Sequence, residues 1–348
     1  KIAPKKWLLV FIYSLGLIIF LIGSLNYYID SSSFFSNNIS SKYYFLDNNT
    51  FKTNYIIKNF KNKNINLILG SSRLQNINNK IFKKEGINLD FYNYSNPGGT
   101  PLHHYHNLKY LIKNGIKIKK IIIGIDYFSF VHIGNTKSYP FSIYPIDYQD
   151  FNKITLSLYY LFSLNLLKQN LKSLFNKINN KQPANRIFDD GSVVNFKNSK
   201  LKLSSSSHKL VDIKHENFSK TDILNSQKQA FKKLINLINT NNIELSIIIP
   251  PPSYIVLKYQ HIETKLDIIK FILENTKKPL IDFSYFNEIT LLDSNFYDIS
   301  HMNYAVSKSV INELLLKHKI GLVVNVINFE DYSQFIRENF KYFQNKLN

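Results

Sequence analysis

The stretch "NLILGSSRLQNI", residues 66–77, is an apolar run that stops on Gly-Ser-Ser-Arg and opens into a helix-like pattern. It belongs to a series. Runs at 65–69, 89–94, 121–125, 245–249 and 280–283 all have strand character. Helical patterns separate them. Residues 101–115, "PLHHYHNLKYLIKNG", begin with Pro and end with Gly, the asymmetry expected of a helix. Residues 222–242, 261–276 and 303–318 are amphipathic at helical spacing. Strands alternating with helices predict an α/β fold with a mostly parallel sheet. In such a sheet ligands bind at the carboxyl ends of the strands, so Gly70, Ser71 and Ser72 lie where a site is expected. Two readings stand at this point. A serine there caps a turn or helix, or it is a nucleophile set where backbone N–H groups stabilise an anion.

The chain has 348 residues, and 44% of them are hydrophobic, enough for a substantial core. It has no cysteine, which excludes disulfides and thiolate metal sites. The formal net charge is +20, yet arginine occurs only at Arg73, Arg186 and Arg337. Nucleic-acid readers rely on arginine for bidentate contacts, so the charge predicts a lysine-rich surface without a nucleic-acid partner. An affinity for anionic lipid or polymer is compatible with it.

Residues 7–25, "WLLVFIYSLGLIIFLIGSL", form an uncharged run of 19. A spanning helix needs about 20 apolar residues. Lys1, Lys5 and Lys6 precede the run and Asp30 is the first charge after it. That asymmetry predicts a single-pass anchor in a bacterial cytoplasmic membrane with the rest of the chain outside. A cleaved signal peptide is the competing reading; the run is long for one and no Ala-x-Ala follows. The expected organisation is an anchor at 1–29, a stalk at 30–61 and an α/β domain at 62–348. An insertion at 130–219 interrupts that domain. Its first part, near 152–178, has a helical pattern. Its second, 179–219, includes "KLSSSSHK" and predicts a mobile lid or a partly disordered loop.

A serine nucleophile needs a base, and the base needs an orienting group. Residues 296–310, "FYDISHMNYAVSKSV", offer Asp298 and His301 just before the last amphipathic helix. A carboxylate at that spacing can accept from one imidazole nitrogen and leave the other for a serine. Residues 91–105, "FYNYSNPGGTPLHHY", follow the second run and contain Gly98 and Gly99. Glycine lets a backbone N–H approach a ligand closely, as an oxyanion hole requires. The bland reading of this segment is a loop turned by Pro-Gly-Gly. His103, His104 and His106 put only two imidazoles on one helix face with no carboxylate cluster, so no metal site is expected.

Gly-x-Ser after the first strand, Asn-x-x-x-x-Gly after the second and Asp-x-x-His before the last helix resemble the SGNH (GDSL-like) hydrolase superfamily over roughly residues 62–320. The resemblance implies a flavodoxin-like three-layer α/β/α sandwich with a parallel sheet. It implies Ser72 as nucleophile, with Ser71 where Asp is usual, and Asp298 and His301 completing a triad. Asn93 through Gly98 matches the block whose glycine N–H donates to the oxyanion. One block departs: in "IIIGIDYFSF", residues 121–130, Gly124 matches but Asp126 stands where the family has an Asn donor. An ionised Asp accepts and cannot donate. The third donor is therefore missing, supplied by a protonated Asp126, or replaced, with neighbouring Arg73 as the substitute. Loss of one such donor typically costs about 10²–10³ in rate.

The departure, the anchor and Gly-Ser-Ser together resemble the DltD-type proteins of lipoteichoic-acid D-alanylation and related alginate O-acetylation proteins. "SLNYYIDSSSFF" (24–35) and "IIIPPPSY" (247–254) have the look of that branch. The resemblance implies a serine O-acyltransferase or acylesterase that acylates or deacylates a cell-envelope polysaccharide or teichoic-acid-like polymer, with that glycan or an acyl carrier as substrate, beside a membrane-bound O-acyltransferase and without a cofactor. A non-catalytic scaffold that binds glycan or carrier is the alternative, favoured by Asp126.

Overall fold

In the strand at the centre of the sheet, Lys117 and Lys119 are exposed while Ile118 is buried, and Ile121, Ile122 and Ile123 are then buried without interruption. Such a run, β-branched and covered on both faces, is what a central parallel strand requires. The computed structural model describes residues 4–31, 34–35, 48–84, 89–131, 153–179, 185–195, 222–316, 321–325 and 327–347. Within them the strands are β1 (Asn64–Leu69), β2 (Phe91–Asn93), β3 (Lys117–Gly124), β4 (Asn185–Ile187), β5 (Val193–Asn195), β6 (Glu244–Ile249), β7 (Leu280–Asp282) and β8 (Leu322–Val324). Six form one sheet in the order β2-β1-β3-β6-β7-β8. All neighbours are parallel except β8, which runs antiparallel to β7.

The period of two along each strand sorts side chains to the two faces. Leu67, Leu69, Ile121, Ile123, Ile247 and Ile249 share one core cluster. It is closed by α4 (Pro101–Lys113), α8 (Asn225–Thr240), α10 (Ile262–Thr276) and α12 (Phe329–Leu347), through residues such as Leu108, Phe231, Ile269 and Phe340. Ile68, Ile122 and Ile248 belong to a second cluster. That one is closed by α3 (Asn79–Lys84) and α11 (Tyr304–Leu316), through Phe82, Val306 and Val310. The protein is therefore a mixed α/β structure with helices on both faces of a mostly parallel sheet. Burying each of these large side chains contributes about 1.5–3 kcal/mol.

All five predicted strands form. Three features depart from the expectations. Residues after Ser72 make only a 3₁₀ turn, Ser72–Leu74, before α3. Helix α2 (Asn48–Asn59), within the predicted stalk, buries Phe51, Lys52, Thr53 and Ile56. It is part of the domain's packing. Residues 185–195, within the predicted lid, form the β4–β5 hairpin, which is docked rather than free. Asn93 N–H donates to Asp190 C=O at 2.7 Å, and Val193 N–H to Gln75 C=O at 2.6 Å. The hairpin thereby covers the open edge of β2, a common protection for edge strands. Gly191 permits this: its φ is +75°, and a Cβ there would lie 2.4 Å from Asn93 O. The remainder of the predicted lid, 180–184 and 196–219, lies outside the described residues, as does 132–150.

Helix α1 (Pro4–Ile29) exposes nearly all its apolar side chains and is long and apolar enough to cross a membrane. It ends at Asp30, whose carboxylate accepts from the N–H groups of Phe34 and Phe35.

Candidate active site

Ser71 and Ser72 divide the work that the sequence left open. Ser71 is buried and caps the 3₁₀ turn, its Oγ accepting from Arg73 N–H at 3.2 Å. Ser72 Oγ lies 2.8 Å from His301 Nε2. His301 Nδ1 lies 2.8 Å from both carboxylate oxygens of Asp298. With Nδ1–H donating to Asp298, Nε2 is left to accept a hydrogen bond from the Ser72 hydroxyl. Burial raises the Asp298 carboxyl, but the His301 hydrogen bond and charge, with the N–H groups of Ser300 and His301, outweigh it and hold the group below its ordinary range. Tyr297 stacks on the imidazole, 5.6 Å between centroids and 3° between planes.

The loop carrying Asp298 and His301 is closed on itself. Phe296 and Met302 form a bridge, and Tyr297 N–H donates to His301 C=O at 3.1 Å. Phe296 and Met302 are buried in the second cluster, so they anchor the loop from below. Ser253, after the three prolines that follow β6, donates its hydroxyl to Ile299 C=O at 2.7 Å, and Ile299 packs on Ile255 and Val256. The "PPPS" stretch thus has a physical role as the seat of this loop.

Asparagines join the two halves of the site. Asn76 Nδ2 donates to Met302 C=O at 2.8 Å, and Ser307 Oγ donates to Asn76 Oδ1 at 2.9 Å. Asn93 Nδ2 donates to Leu74 C=O and Ile77 C=O, at 2.7 and 2.8 Å, and pins the segment that follows Ser72. The sequence reading missed Asn76 because nothing distinguishes it in an Asn-rich chain.

Gly98 and Gly99 sit beside the Ser72 turn. Asn96 N–H donates to Gly70 C=O at 3.0 Å, and a Cβ on Gly99 would lie 2.5 Å from Gly70 O. Gly98 has φ +64°, a conformation that glycine adopts without strain. The loop is held from α2, where Asn49 Oδ1 accepts from Asn96 and Asn107, and Lys52 Nζ donates to Ser95 C=O at 2.7 Å. His103 and His104 serve the same loop. His103 Nδ1 accepts from Thr100 N–H in a capping box at the start of α4, and His104 packs against Gly99. Burial pushes His103 down to about 4, against a hydrogen bond with the Gly98 backbone, and His104 down to about 3.

Arg73 and Asp126 are both buried and pair at 2.6 Å. The Arg73 guanidinium also lies over the Phe128 ring, 5.6 Å from its centroid. Asp126 follows β3 and Ser72 follows β1, so the pair bridges the strand ends where the strand order reverses. Asp126 acts as an acceptor here, and the guanidinium that was to replace the missing donor has a carboxylate partner. Among the described residues, no three His, Asp or Glu side chains are grouped to hold a metal ion.

The chain is thus a mixed α/β protein in which Ser72, His301 and Asp298 are joined by hydrogen bonds beside the carboxyl end of β1, with an apolar helix at one end. It belongs to the DUF1574 family, described as a protein of unknown function, whose model matches residues 4–318. Comparison with curated proteins finds no match.

Proposed function

We propose that this protein is a membrane-anchored acyl-transfer enzyme of SGNH type that acts on a cell-envelope polymer outside the cytoplasmic membrane. The observation that carries the reading is the relay itself: Ser72 Oγ, His301 and Asp298 joined by 2.8 Å contacts. In this scheme Ser72 Oγ attacks an acyl carbonyl and its proton passes to His301 Nε2. Asp298 holds the imidazolium that forms. The N–H groups of Ser72 and Gly98 receive the oxyanion. The tetrahedral intermediate then collapses, His301 returns the proton to the leaving group, and an acyl-serine remains. A sugar hydroxyl or water then attacks the acyl carbon, His301 takes its proton, and the bond to Ser72 Oγ breaks as His301 returns that proton to the serine. The strand order 2-1-3 followed by β6 and β7 is that of a flavodoxin-like sheet, which supports the SGNH and DltD-like reading. A membrane-bound O-acyltransferase is the proposed partner.

A second reading, a non-catalytic scaffold for glycan or carrier, draws on the Arg73–Asp126 pair, which occupies the position of the third oxyanion donor. A serine-reactive phosphonate on the full chain in detergent separates the two. The enzyme reading predicts labelling of the wild type that is lost in Ser72→Ala. Absence of labelling, with cellular function retained in Ser72→Ala, overturns it.

A further inference from the structure

Helix α7 (Leu164–Ile178) is amphipathic in the reverse sense. Its inward stripe is Leu166, Asn170 and Ser173, all buried. Leu164, Leu171, Phe175 and Ile178 line its outward face, with Phe175 62% and Ile178 69% exposed. At 100° per residue, Lys168 and Lys172 flank that apolar face on one edge. Helix α6 (Lys153–Phe162), which precedes it, also turns Ile154 and Leu158 outward.

What lies alongside indicates what covers these faces. Both helices pack on the end of α1. Asn26 of α1 donates to the carbonyls of Tyr160, Leu161 and Ser163, and Asn170 Nδ2 donates to Asn26 Oδ1. Ser31 hydrogen-bonds to Asn170. Phe162 meets α1 at Gly23, where a Cβ would lie 3.1 Å from its ring. Trp7 and the pair Tyr27 and Tyr28 stand at opposite ends of α1 and are exposed. At about 1.5 Å per residue they are about 30 Å apart, the thickness of a bilayer's hydrocarbon core. Aromatic residues at both ends of a span mark the two interfaces. Gly23 lies one turn inside Tyr27, so Phe162 reaches α1 below the headgroup level, and α6 and α7 emerge there.

We infer that α6 and α7 form an interfacial platform whose outward face is seated in the bilayer leaflet at the domain end of α1. Leu164, Leu171, Phe175 and Ile178 enter the acyl boundary, while Lys168 and Lys172 meet anionic headgroups. The inference rests on reading α1 as a membrane span. It gives the insertion a role distinct from that of a lid: it fixes the domain's height and tilt over the membrane.

The test uses the single native tryptophan, Trp7, and reporters placed in a Trp7→Phe background. The full chain is reconstituted at low protein-to-lipid ratio in phosphatidylcholine–phosphatidylglycerol vesicles with and without brominated lipids. Phe175→Trp and, independently, Ile178→Trp are expected to give blue-shifted emission that brominated lipid quenches. Tyr342→Trp, at an exposed position of the globular domain, is expected to keep water-like, unquenched emission. Lys168→Glu with Lys172→Glu is expected to reduce quenching at position 175. The inference is overturned if indoles at 175 and 178 behave like the one at 342 while native Trp7 is quenched; the face then belongs to a protein partner. If Trp7 also escapes quenching, the membrane-span reading fails with it.

Discussion

Restoring the amide that the SGNH pattern expects, by Asp126→Asn, is predicted to damage the protein rather than improve it. Asp126 is 1% exposed and Arg73 5%, and they meet at 2.6 Å. The substitution keeps shape and supplies a donor, but it leaves a buried guanidinium facing a neutral group. Breaking a buried pair from one side costs about 3–5 kcal/mol. At about 2–4 °C per kcal/mol for a domain of this general size, the melting temperature should fall by roughly 6–20 °C. The ring of Phe128 places the true value toward the lower end, because it continues to cover one face of the cation. Arg73→Met combined with Asp126→Asn removes the orphaned charge and should recover most of the loss, so the two sites couple strongly in a double-mutant cycle. Thermal unfolding of the full chain in detergent reads the stability, and the phosphonate labelling rate reads the site. An Asp126→Asn protein as stable as the wild type that labels faster would refute the reasoning, because Asp126 would then be a defective donor and not a structural charge.

Asn76→Ala should lower the acylation rate by about 10–10²-fold with KM little changed and the fold intact, since it loosens the contact between the Ser72 segment and Met302; steady-state kinetics with a far-UV spectrum checks this. Gly99→Ala should cost about 1–3 kcal/mol and slow labelling, because its Cβ would sit 2.5 Å from Gly70 O. Lys52 is fully buried, and burial pushes its ammonium down to about 7, opposed by Asp190. Above that pH the unfolded chain holds a proton that the folded chain lacks, so Lys52 makes stability rise between about pH 7 and 10 by about 1.4 kcal/mol per unit. Lys52→Met should flatten that slope and raise stability most at neutral pH and below, as denaturant titrations across the range will read.

Strands β1, β3 and β6 were legible because each is a run of six to eight residues rich in buried Ile and Leu, long enough to carry a pattern, whereas β2 and β7 were legible only through the longer apolar runs around them, 89–94 and 280–283. Strand β8 and the β4–β5 hairpin have three residues per strand, too few for periodicity, and the hairpin's Ser, Asn and Lys neighbours hide the two residues, Ile187 and Val193, that pack on Phe51. Helix α2 reads as polar stalk because its few core residues are spread among Asn, Lys and Thr. In the candidate site, Ser72 closely follows β1, and Asp298 and His301 stand just before α11, so each could be placed against a recognisable element. Asn76, Asn93 and Ser253 act through carbonyls of distant segments, and a backbone acceptor leaves no mark on sequence. Asp126 was visible as a departure, but its pairing with Arg73 depends on β1 and β3 lying side by side, which only the folded sheet supplies.

In the proposed reaction Ser72, and not its neighbour Ser71, carries the acyl group. Intact-mass and peptide mapping of the full chain after brief reaction with an activated acyl ester tests it directly. The expected result is one acyl adduct on Ser72 that persists in Ser71→Ala, disappears in Ser72→Ala and forms far more slowly in His301→Ala. An adduct that survives Ser72→Ala, or that forms equally fast without His301, would contradict it.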